Sequence, residues 1–338
     1  PVTYSIVSGN DDAWFEIDPV TGVISLTPAG VAAVANDFEA LANVHNLVVG
    51  ASDGVNTTNI NVTLTELDVN EGPEFTPPVG ETSYSFSYNE NSSDSTVIGT
   101  VNATDPEGTP VTYSIVSGND DAWFEIDPVT GVISLTPAGV AAVANDFEAL
   151  ANVHNLVVGA SDGVNTTNIN VTLTELDVNE GPEFTPPVGE TSYSFSYNEN
   201  SSDSTVIGTV NATDPEGTPV TYSIVSGNDD AWFEIDPVTG VISLTPAGVA
   251  AVANDFEALA NVHNLVVGAS DGVNTTNINV TLTELDVNEG PEFTPPVGET
   301  SYSFSYNENS SDSTVIGTVN ATDPEGTPVT YSIVSGND

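Results

Sequence analysis

Apolar and polar residues alternate strictly along Asn168-Ile169-Asn170-Val171-Thr172-Leu173-Thr174, the period-two pattern of a strand with one face buried. Similar short runs recur through residues 72–179, separated by turn residues, and each predicts a strand. The expected strands are Ser83–Tyr88, Thr96–Thr104 (with Val97, Val101 and Ala103 on one face), Val111–Val116, Trp123–Ile126, Val132–Leu135, Asn155–Ala160 and Ile169–Leu176. Turns are expected at Asp105-Pro106-Glu107-Gly108, Asp127-Pro128-Val129-Thr130-Gly131 and Ser161-Asp162-Gly163, where Asp, Pro and Gly each suit a defined turn position. The Ala-rich Pro137–Leu150 predicts a short helical turn.

Seven short strands with regular turn signals in about 109 residues predict an all-β fold, a seven-stranded antiparallel β-sandwich. Trp123, Phe124, Tyr113 and the inward-facing aliphatics are the expected core. His154 opens the sixth run with no Cys or second His nearby, which reads as a surface or strand-end residue rather than a metal ligand.

The pattern repeats without change. PVTYSIVSGND at the start returns at Pro110, Pro219 and Pro328, a period of 109 residues, which is the size of a whole domain rather than of a solenoid unit. The chain is expected to comprise tandem sandwiches arranged end to end: an N-terminally incomplete domain (1–71), domains 72–180 and 181–289, and a C-terminally incomplete domain (290–338). It opens and closes in the same strand-like run, with no signal peptide, transmembrane run or tag. The expectation is a window from a longer covalent array. The competing expectation is that the tail of one chain donates strands to the head of the next. A large denatured mass distinguishes the first from the second. An odd strand count puts the termini at opposite poles, and strands of about nine residues rising about 3.3 Å per residue give about 40–45 Å per domain.

Composition changes the picture through charge. There is no Lys or Arg against 49 Asp and Glu, a formal charge of −49, which excludes nucleic acid and direct membrane contact as electrostatic partners. Such self-repulsion destabilises a compact state unless cations screen or bind it. Two readings stand: a solvated acidic surface, or carboxylates that hold metal ions. Hydrophobic content of 38% argues for a packed core over disorder. Cys is absent, so neither disulfides nor thiol chemistry contribute.

Placement favours metal. If each strand reverses direction, Glu90, Asp146, Glu148, Asp177, Asn179 and Glu180 fall at one pole of their domain. Asp105, Glu107 and Asp162 fall at the other, so Asp214, Glu216 and Asp271 of the next copy meet the first set. The same logic gathers Asp37, Glu39, Asp68, Asn70 and Glu71 with Asp105, Glu107 and Asp162. Likewise Glu199, Asp255, Glu257, Asp286, Asn288 and Glu289 gather with Asp323 and Glu325. Unpaired carboxylates this close repel strongly. A hard divalent cation with oxygen ligands relieves the conflict, and the flexible coordination of Ca²⁺ suits a mixed Asp, Glu, Asn and carbonyl set better than the tight octahedron of Mg²⁺.

At this point the residues resemble the cadherin repeat, over nearly the whole 109-residue unit. Tyr88-Asn89-Glu90-Asn91 resembles that family's Glu-Asn motif, and Ala103-Thr104-Asp105-Pro106-Glu107 its Asp-x-Asp motif. Phe124-Glu125-Ile126-Asp127 with Thr130-Gly131-Val132-Ile133 resembles its hairpin signature. Asp146-Phe147-Glu148 resembles Asp-x-Glu, and Ala160-Ser161-Asp162-Gly163 resembles Ala-x-Asp. Asp177-Val178-Asn179-Glu180-Gly181-Pro182-Glu183-Phe184 resembles the inter-domain linker. The form is similar to prokaryotic cadherin-domain surface proteins. The resemblance implies a Greek-key sandwich with about two to three Ca²⁺ at each junction, stiffening a rod. The chain departs from the pattern at Glu180 and Glu216, which stand for Asp, and at Gly181, which stands for Asn. The loop after Glu216 is short and lacks the Asn carbonyl that the family uses there.

The functional expectation is a non-enzymatic, calcium-stabilised extracellular or cell-surface rod, the extender of a giant adhesin or the shaft of a surface filament. Its partners would be neighbouring copies of the same repeat or other filaments. The alternative is a homophilic or glycan-binding adhesion module, which would need a distinctive exposed patch. An enzyme finds no support: there is no Cys, no phosphate loop and no persuasive Ser–His–acid spacing, and Glu125 and Asp127 belong to a turn. Asn56, Asn61, Asn91 and Asn102 head Asn-x-Ser/Thr triplets, which Asn- and Thr-rich strands also produce by chance.

Overall fold

The computed structural model describes residues 1–33, 36–40, 42–142, 145–149, 151–251, 254–258 and 260–336. Two compact units divide it, Pro1–Val178 and Asn179–Asp338. The first contains β1 (Thr3–Ser8), β2 (Phe15–Ile17), β3 (Ile24–Leu26), α1 (Pro28–Val31), β4 (Val44–Ser52) and β5 (Thr57–Thr65). There follow β6 (Glu74–Phe75), β7 (Tyr84–Asn89), β8 (Val97–Thr100), β9 (Ala103–Thr104), β10 (Thr112–Ser117) and β11 (Phe124–Ile126). It closes with β12 (Val132–Leu135), α2 (Pro137–Val140), β13 (Val153–Ser161) and β14 (Thr166–Leu176).

Between residues 72 and 178 these strands make a two-layered sandwich. One sheet has the order β10-β13-β14-β7 and the other β11-β12-β8. β13 and β14 pair antiparallel from Val153↔Thr174 to Ser161↔Thr166. β7 runs parallel to β14, from Tyr84↔Val171 to Asn89↔Leu176. The alternation in β14 therefore turns Ile169, Val171 and Leu173 inward, where they pack with Tyr84, Tyr88, Leu156, Val158, Phe124, Ile133 and Leu135. Burying apolar area of this kind is the main driving force for the fold.

Two expectations for this domain need correction. The run Thr96–Thr104 is not one strand with Val97, Val101 and Ala103 on one face. Val97 is 61% exposed, whereas Ile98 and Val101 are 7% and 0% exposed. A register shift lies in the β8–β12 pairing, after which the chain leaves that sheet. β9 then pairs with β6, a two-residue strand too short for its alternation to be visible. Tyr hydroxyls hold this crossover: Tyr84 Oη accepts from the Asn102 N–H at 3.1 Å and Tyr113 Oη from the Ala103 N–H at 2.9 Å. His154 stands at a strand end, second in β13, but not on the surface. It is half-buried on the inner face, with its ring centroid 5.8 Å from Trp123 and 5.1 Å from Phe124, so its imidazole pKa is lowered by desolvation. The helical turn forms at α2, where Thr136 Oγ1 accepts from the Gly139 N–H and Pro137 opens the helix. Residues 143, 144 and 150 of the expected segment lie outside the described residues.

The second unit repeats the plan with β15 (Glu183–Phe184), β16 (Tyr193–Asn198), β17 (Val206–Thr209), β18 (Ala212–Thr213), β19 (Thr221–Ser226) and β20 (Phe233–Ile235). It continues with β21 (Val241–Leu244), α3 (Pro246–Val249), β22 (Val262–Ser270), β23 (Thr275–Leu285), β24 (Glu292–Phe293) and β25 (Ala321–Thr322). Its sheets are β16-β23-β22-β19 and β17-β21-β20, with β15-β18 and β24-β25 as two-stranded pairs. Residues 1–71 form only β1-β4-β5 and β2-β3. Leu26 there is 43% exposed, against 2% for its counterpart Leu135. In the last segment the counterparts of the expected strands, 301–306, 314–322 and 329–334, do not form as such, and only Ala321–Thr322 pairs, with Glu292–Phe293. Their counterparts in the second unit pair with long strands, such as β16 with β23, which residues 290–338 do not contain.

Candidate metal centre

Each acidic cluster is built where strand ends and turns converge. Glu90 follows β7, Asp146 and Glu148 lie in the connection after α2, and Asp177 follows β14. Glu90 is 2% exposed. Its Oε1 accepts from the Val178 N–H at 2.6 Å and its Oε2 from the Phe147 N–H at 2.7 Å. The backbone thereby fixes this carboxylate in place. Carboxylate oxygens of Glu90, Asp146 and Glu148 lie within 4.8 Å of one another. In the second unit the same spacing unites Glu199, Glu257 and Asp286, while Asp255 stays close enough to Glu284 to raise its pKa.

A second kind of cluster joins one repeat to the next within a unit. In the first unit, Glu39, Asp68 and Glu107 bring carboxylate oxygens within 4.8 Å. The linker backbone is held there by side chains: the Glu71 N–H donates to Glu107 Oε1 at 3.0 Å, and Asn70 Nδ2 donates to Asp162 Oδ2 at 2.6 Å. Asp162 Oδ1 also closes its own turn by accepting from the Val164 and Asn165 N–H groups, each at 2.6 Å. The Asn70 amide is the largest of the interactions that lower its pKa. Asp37 lies beside Glu39, whose N–H donates to Asp37 Oδ1 at 3.2 Å. Asp105 Oδ1 accepts from the Thr109 N–H at 3.0 Å.

The second unit has the same contacts. Asn179 Nδ2 donates to Asp271 Oδ2 at 2.6 Å, and the Glu180 N–H donates to Glu216 Oε1 at 2.8 Å. Further on, Glu257, Glu289 and Glu325 cluster within 4.8 Å. There the Glu289 N–H donates to Glu325 Oε1 at 2.6 Å, and Asn288 Nδ2 donates to the Glu289 carbonyl at 2.7 Å. Asp214 Oδ1 and Asp323 Oδ1 each accept from the N–H of the Thr four residues on, at 3.0 Å.

The electrostatics are those of a site lacking positive charge. The Glu107 carboxylate beside the Glu71 side chain, then desolvation and the charges of Glu107, Glu39 and Asp37, push the Glu71 pKa up to about 7. Desolvation first, then Asp68, Glu107 and Asp37, raises Glu39. Asp105 Oδ2 and Glu107 Oε2 are buried with no hydrogen-bond partner, as are Asp214 Oδ2, Glu216 Oε2, Glu289 Oε2 and Glu325 Oε2. Oxygen-only donors, close carboxylates and orphaned buried oxygens fit a hard divalent cation such as Ca²⁺. With Lys and Arg absent from the chain, no side-chain cation of that kind can serve instead.

One acid was not singled out by motif. Glu175 of β14 is 1% exposed, and neither of its carboxylate oxygens has a hydrogen-bond partner. Burial first, then the charges of Glu90, Asp146 and Glu148, push its pKa up to about 7. Glu284 is its equal in the second unit. The available signal was a Glu continuing the inward series Ile169, Val171, Leu173.

Comparisons with known proteins bear on the family and the fold. The family model for the cadherin domain matches residues 84–179 and again 193–288. Human protocadherin Fat 4 is 32% identical over 341 aligned residues, covering 98% of this chain and 6% of that protein. Human cadherin-7 is 30% identical over 316 residues, covering 86% of this chain and 37% of its own length. The chain thus spans only a small part of these relatives. The crystal structure of mouse cadherin-23 EC22-24 superimposes with a TM-score of 0.53 at 25% identity, covering 85% of this chain and 86% of that one. That of human CDH23 EC21-23 gives 0.55 at 23% identity, covering 83% and 88%.

Proposed function

The chain belongs to the cadherin family, and from that premise we propose that it is a calcium-stabilised segment of an extracellular rod, the extender of a giant adhesin or the shaft of a surface filament. The family is one of non-enzymatic, extracellular adhesion proteins, and its domains bind calcium at their junctions. The observation that carries the reading is the junction of Glu39, Asp68, Glu71 and Glu107, where close carboxylates meet buried oxygens without partners.

Bound Ca²⁺ would supply the positive charge and the oxygen coordination that these groups lack. The residues named from motif would hold it. Asp37, Glu39, Asp68, Asn70 and Glu71 come from one repeat, with Asp105, Glu107 and Asp162 from the next. Glu90, Asp146, Glu148, Asp177, Asn179, Glu180, Asp214, Glu216 and Asp271 are proposed as calcium ligands in the same way. Glu199, Asp255, Glu257, Asp286, Asn288, Glu289, Asp323 and Glu325 serve a further junction. About two to three ions per junction accommodate this many oxygens. The proposed domain limits are 71/72, 180/181 and 289/290. The chain's own part is positional: Asn70 and Glu107 tie the linker down by hydrogen bonds to Asp162 and the Glu71 backbone. Neighbouring copies of the same repeat are the proposed partners.

The test is scattering and calorimetry on the 338-residue chain with Ca²⁺ and after exhaustive EDTA. Ligand that binds only the folded state stabilises it by mass action, so chelation should lower the melting temperature and shorten the particle. Unchanged melting and unchanged dimensions would reject the calcium-dependent rod.

A further inference from the structure

Charge is spread unevenly over each sandwich. The four strands of the larger sheet, β7, β10, β13 and β14, contain a single acid, Glu175, and it is buried on the inner side. Their one imidazole, His154, also faces in. The outer face of this sheet thus carries no charged side chain, in a chain with 49 Asp and Glu and no Lys or Arg. The smaller sheet differs, because β11 exposes Glu125 between Phe124 and Ile126. On the charge-free face β14 turns Asn170, Thr172 and Thr174 outward, and β7 sets Ser85 beside Thr172 and Ser87 beside Thr174. Thr172 Oγ1 donates to Asn155 Oδ1 of β13 at 3.1 Å. In the second unit β16, β19, β22 and β23 repeat the arrangement, and Glu284, again buried, is their one acid.

Charge limits what such a face can meet. Two copies of a chain with formal charge −49 repel wherever acids face acids, and the field of an exposed acid fades over about 8–10 Å at physiological salt. The charge-free sheet is a broad surface on which copies approach without that repulsion. Ser, Thr and Asn side chains both donate and accept hydrogen bonds, so two identical faces suit each other in a two-fold contact. A basic partner would be drawn to the acids instead. Small ligands favour concave sites with apolar and aromatic walls, whereas Tyr84, Tyr88 and Tyr113 of these strands are buried and Phe86 packs on the core.

We propose that this outer sheet face is the lateral contact through which one copy of the chain packs against a second. The inference rests on the reading above that neighbouring copies are the partners, and it names their surface. Four strands about 4.8 Å apart, with about six residues each rising about 3.3 Å, give a face of about 400 Å². A stable pair buries about 800 Å² on each partner. A single face therefore associates weakly, and the contact strengthens as repeats engage together.

The experiment is sedimentation equilibrium of the 338-residue chain in Ca²⁺ over rising protein concentration. Wild type is compared with Asn170→Asp/Asn279→Asp, which puts a charge at an exposed place on both complete faces. The wild type should move from 34.9 kDa toward the dimer, and further at about 0.5 M than at about 0.05 M NaCl, as repulsion is screened. The Asp pair should weaken association by about tenfold or more, since like charges are brought together. The control Val97→Asp/Val206→Asp charges an exposed site on the smaller sheet and should associate as the wild type does. A wild type that stays monomeric at every concentration would overturn the inference. So would an Asp pair that associates unchanged, which would move the contact to another surface. Retention of the wild-type monomer on immobilised dextran, lost in the Asp pair, would assign the face to a neutral polysaccharide and overturn it too. If circular dichroism shows the Asp pair misfolded, Ser85→Asp/Ser194→Asp, at exposed places on the neighbouring strands, is judged by the same criterion. The calcium-dependent rod is judged separately by EDTA: a monomer that still shortens on chelation overturns the lateral contact alone.

Discussion

Glu90 Oε1 accepts the backbone N–H of Val178 at 2.6 Å, across 88 residues of sequence. The same carboxylate takes the Phe147 N–H through Oε2, and the Glu90 N–H donates to the Leu176 carbonyl at 3.0 Å. A single side chain thus joins the end of β7, the connection after α2 and the exit of β14. Any ion at this end of the domain meets a carboxylate that protein donors have already oriented.

Glu90→Ala should therefore act even without calcium. It leaves two N–H groups short of their acceptor, at a cost of about 1–3 kcal/mol for each group that stays buried. Urea unfolding in EDTA should show a loss of roughly 2–5 kcal/mol for that domain. A loss below 0.5 kcal/mol, an order-of-magnitude threshold for surface sites, would mean that water replaces the carboxylate freely.

The crossover between β8 and β9 depends on two phenols. Tyr84 Oη donates to the Asn102 carbonyl at 3.0 Å while accepting from the Asn102 N–H, and Tyr113 Oη does the same at Ala103. Tyr84→Phe/Tyr113→Phe keeps the rings and removes both hydroxyls. Chemical denaturation should report about 2–4 kcal/mol of destabilisation for the pair, about 1–2 for each hydroxyl. Hydrogen exchange at Asn102 and Ala103 should rise. Unaltered protection at those two amides would contradict the assignment.

Gly99 lets β8 lie against an aromatic ring. A Cβ built there would sit 2.3 Å from Phe86 Cγ, far inside contact distance. Gly99→Ala should cost about 1–3 kcal/mol through overpacking. Phe86→Leu in the same chain should recover part of it, because the obstacle is the ring. Equal stability of the single and double variants would show that the strand shifts instead.

Acid should act through the turns Asp18, Asp127 and Asp236. In each, the Oδ1 accepts two backbone N–H groups, as Asp127 does from Val129 at 2.9 Å and Thr130 at 2.7 Å. These bonds lower all three carboxyls below the ordinary 3.8. A depressed folded-state pKa contributes stability above the unfolded value and loses it as pH falls through the folded one. Wild type should thus lose more melting temperature than the triple Asp→Asn variant between about pH 4 and about pH 2, measured in EDTA. A smaller loss in the wild type would reverse the sign and refute the assignment.

The positions of β10 to β14 were legible because alternation is a property of adjacent residues: Asn168–Thr174 shows its buried face without any knowledge of a partner. The 109-residue identity, the absent cations and the acids of the motifs were equally local facts. The split of Thr96–Thr104 was not legible, because the shift arises in pairing with Val132–Ser134 and the second half turns to Glu74–Phe75. The burial of Glu175 had one local signal, its place in the inward series after Leu173, which its charge and its position near a strand's end oppose. Only the placing of β14 between β13 and β7 encloses it, and His154 likewise becomes an inner residue only when Trp123 and Phe124 close over it. Period and charge are written in neighbouring residues, whereas register and burial are decided by segments up to about ninety residues apart, whose encounter only the folded chain brings about.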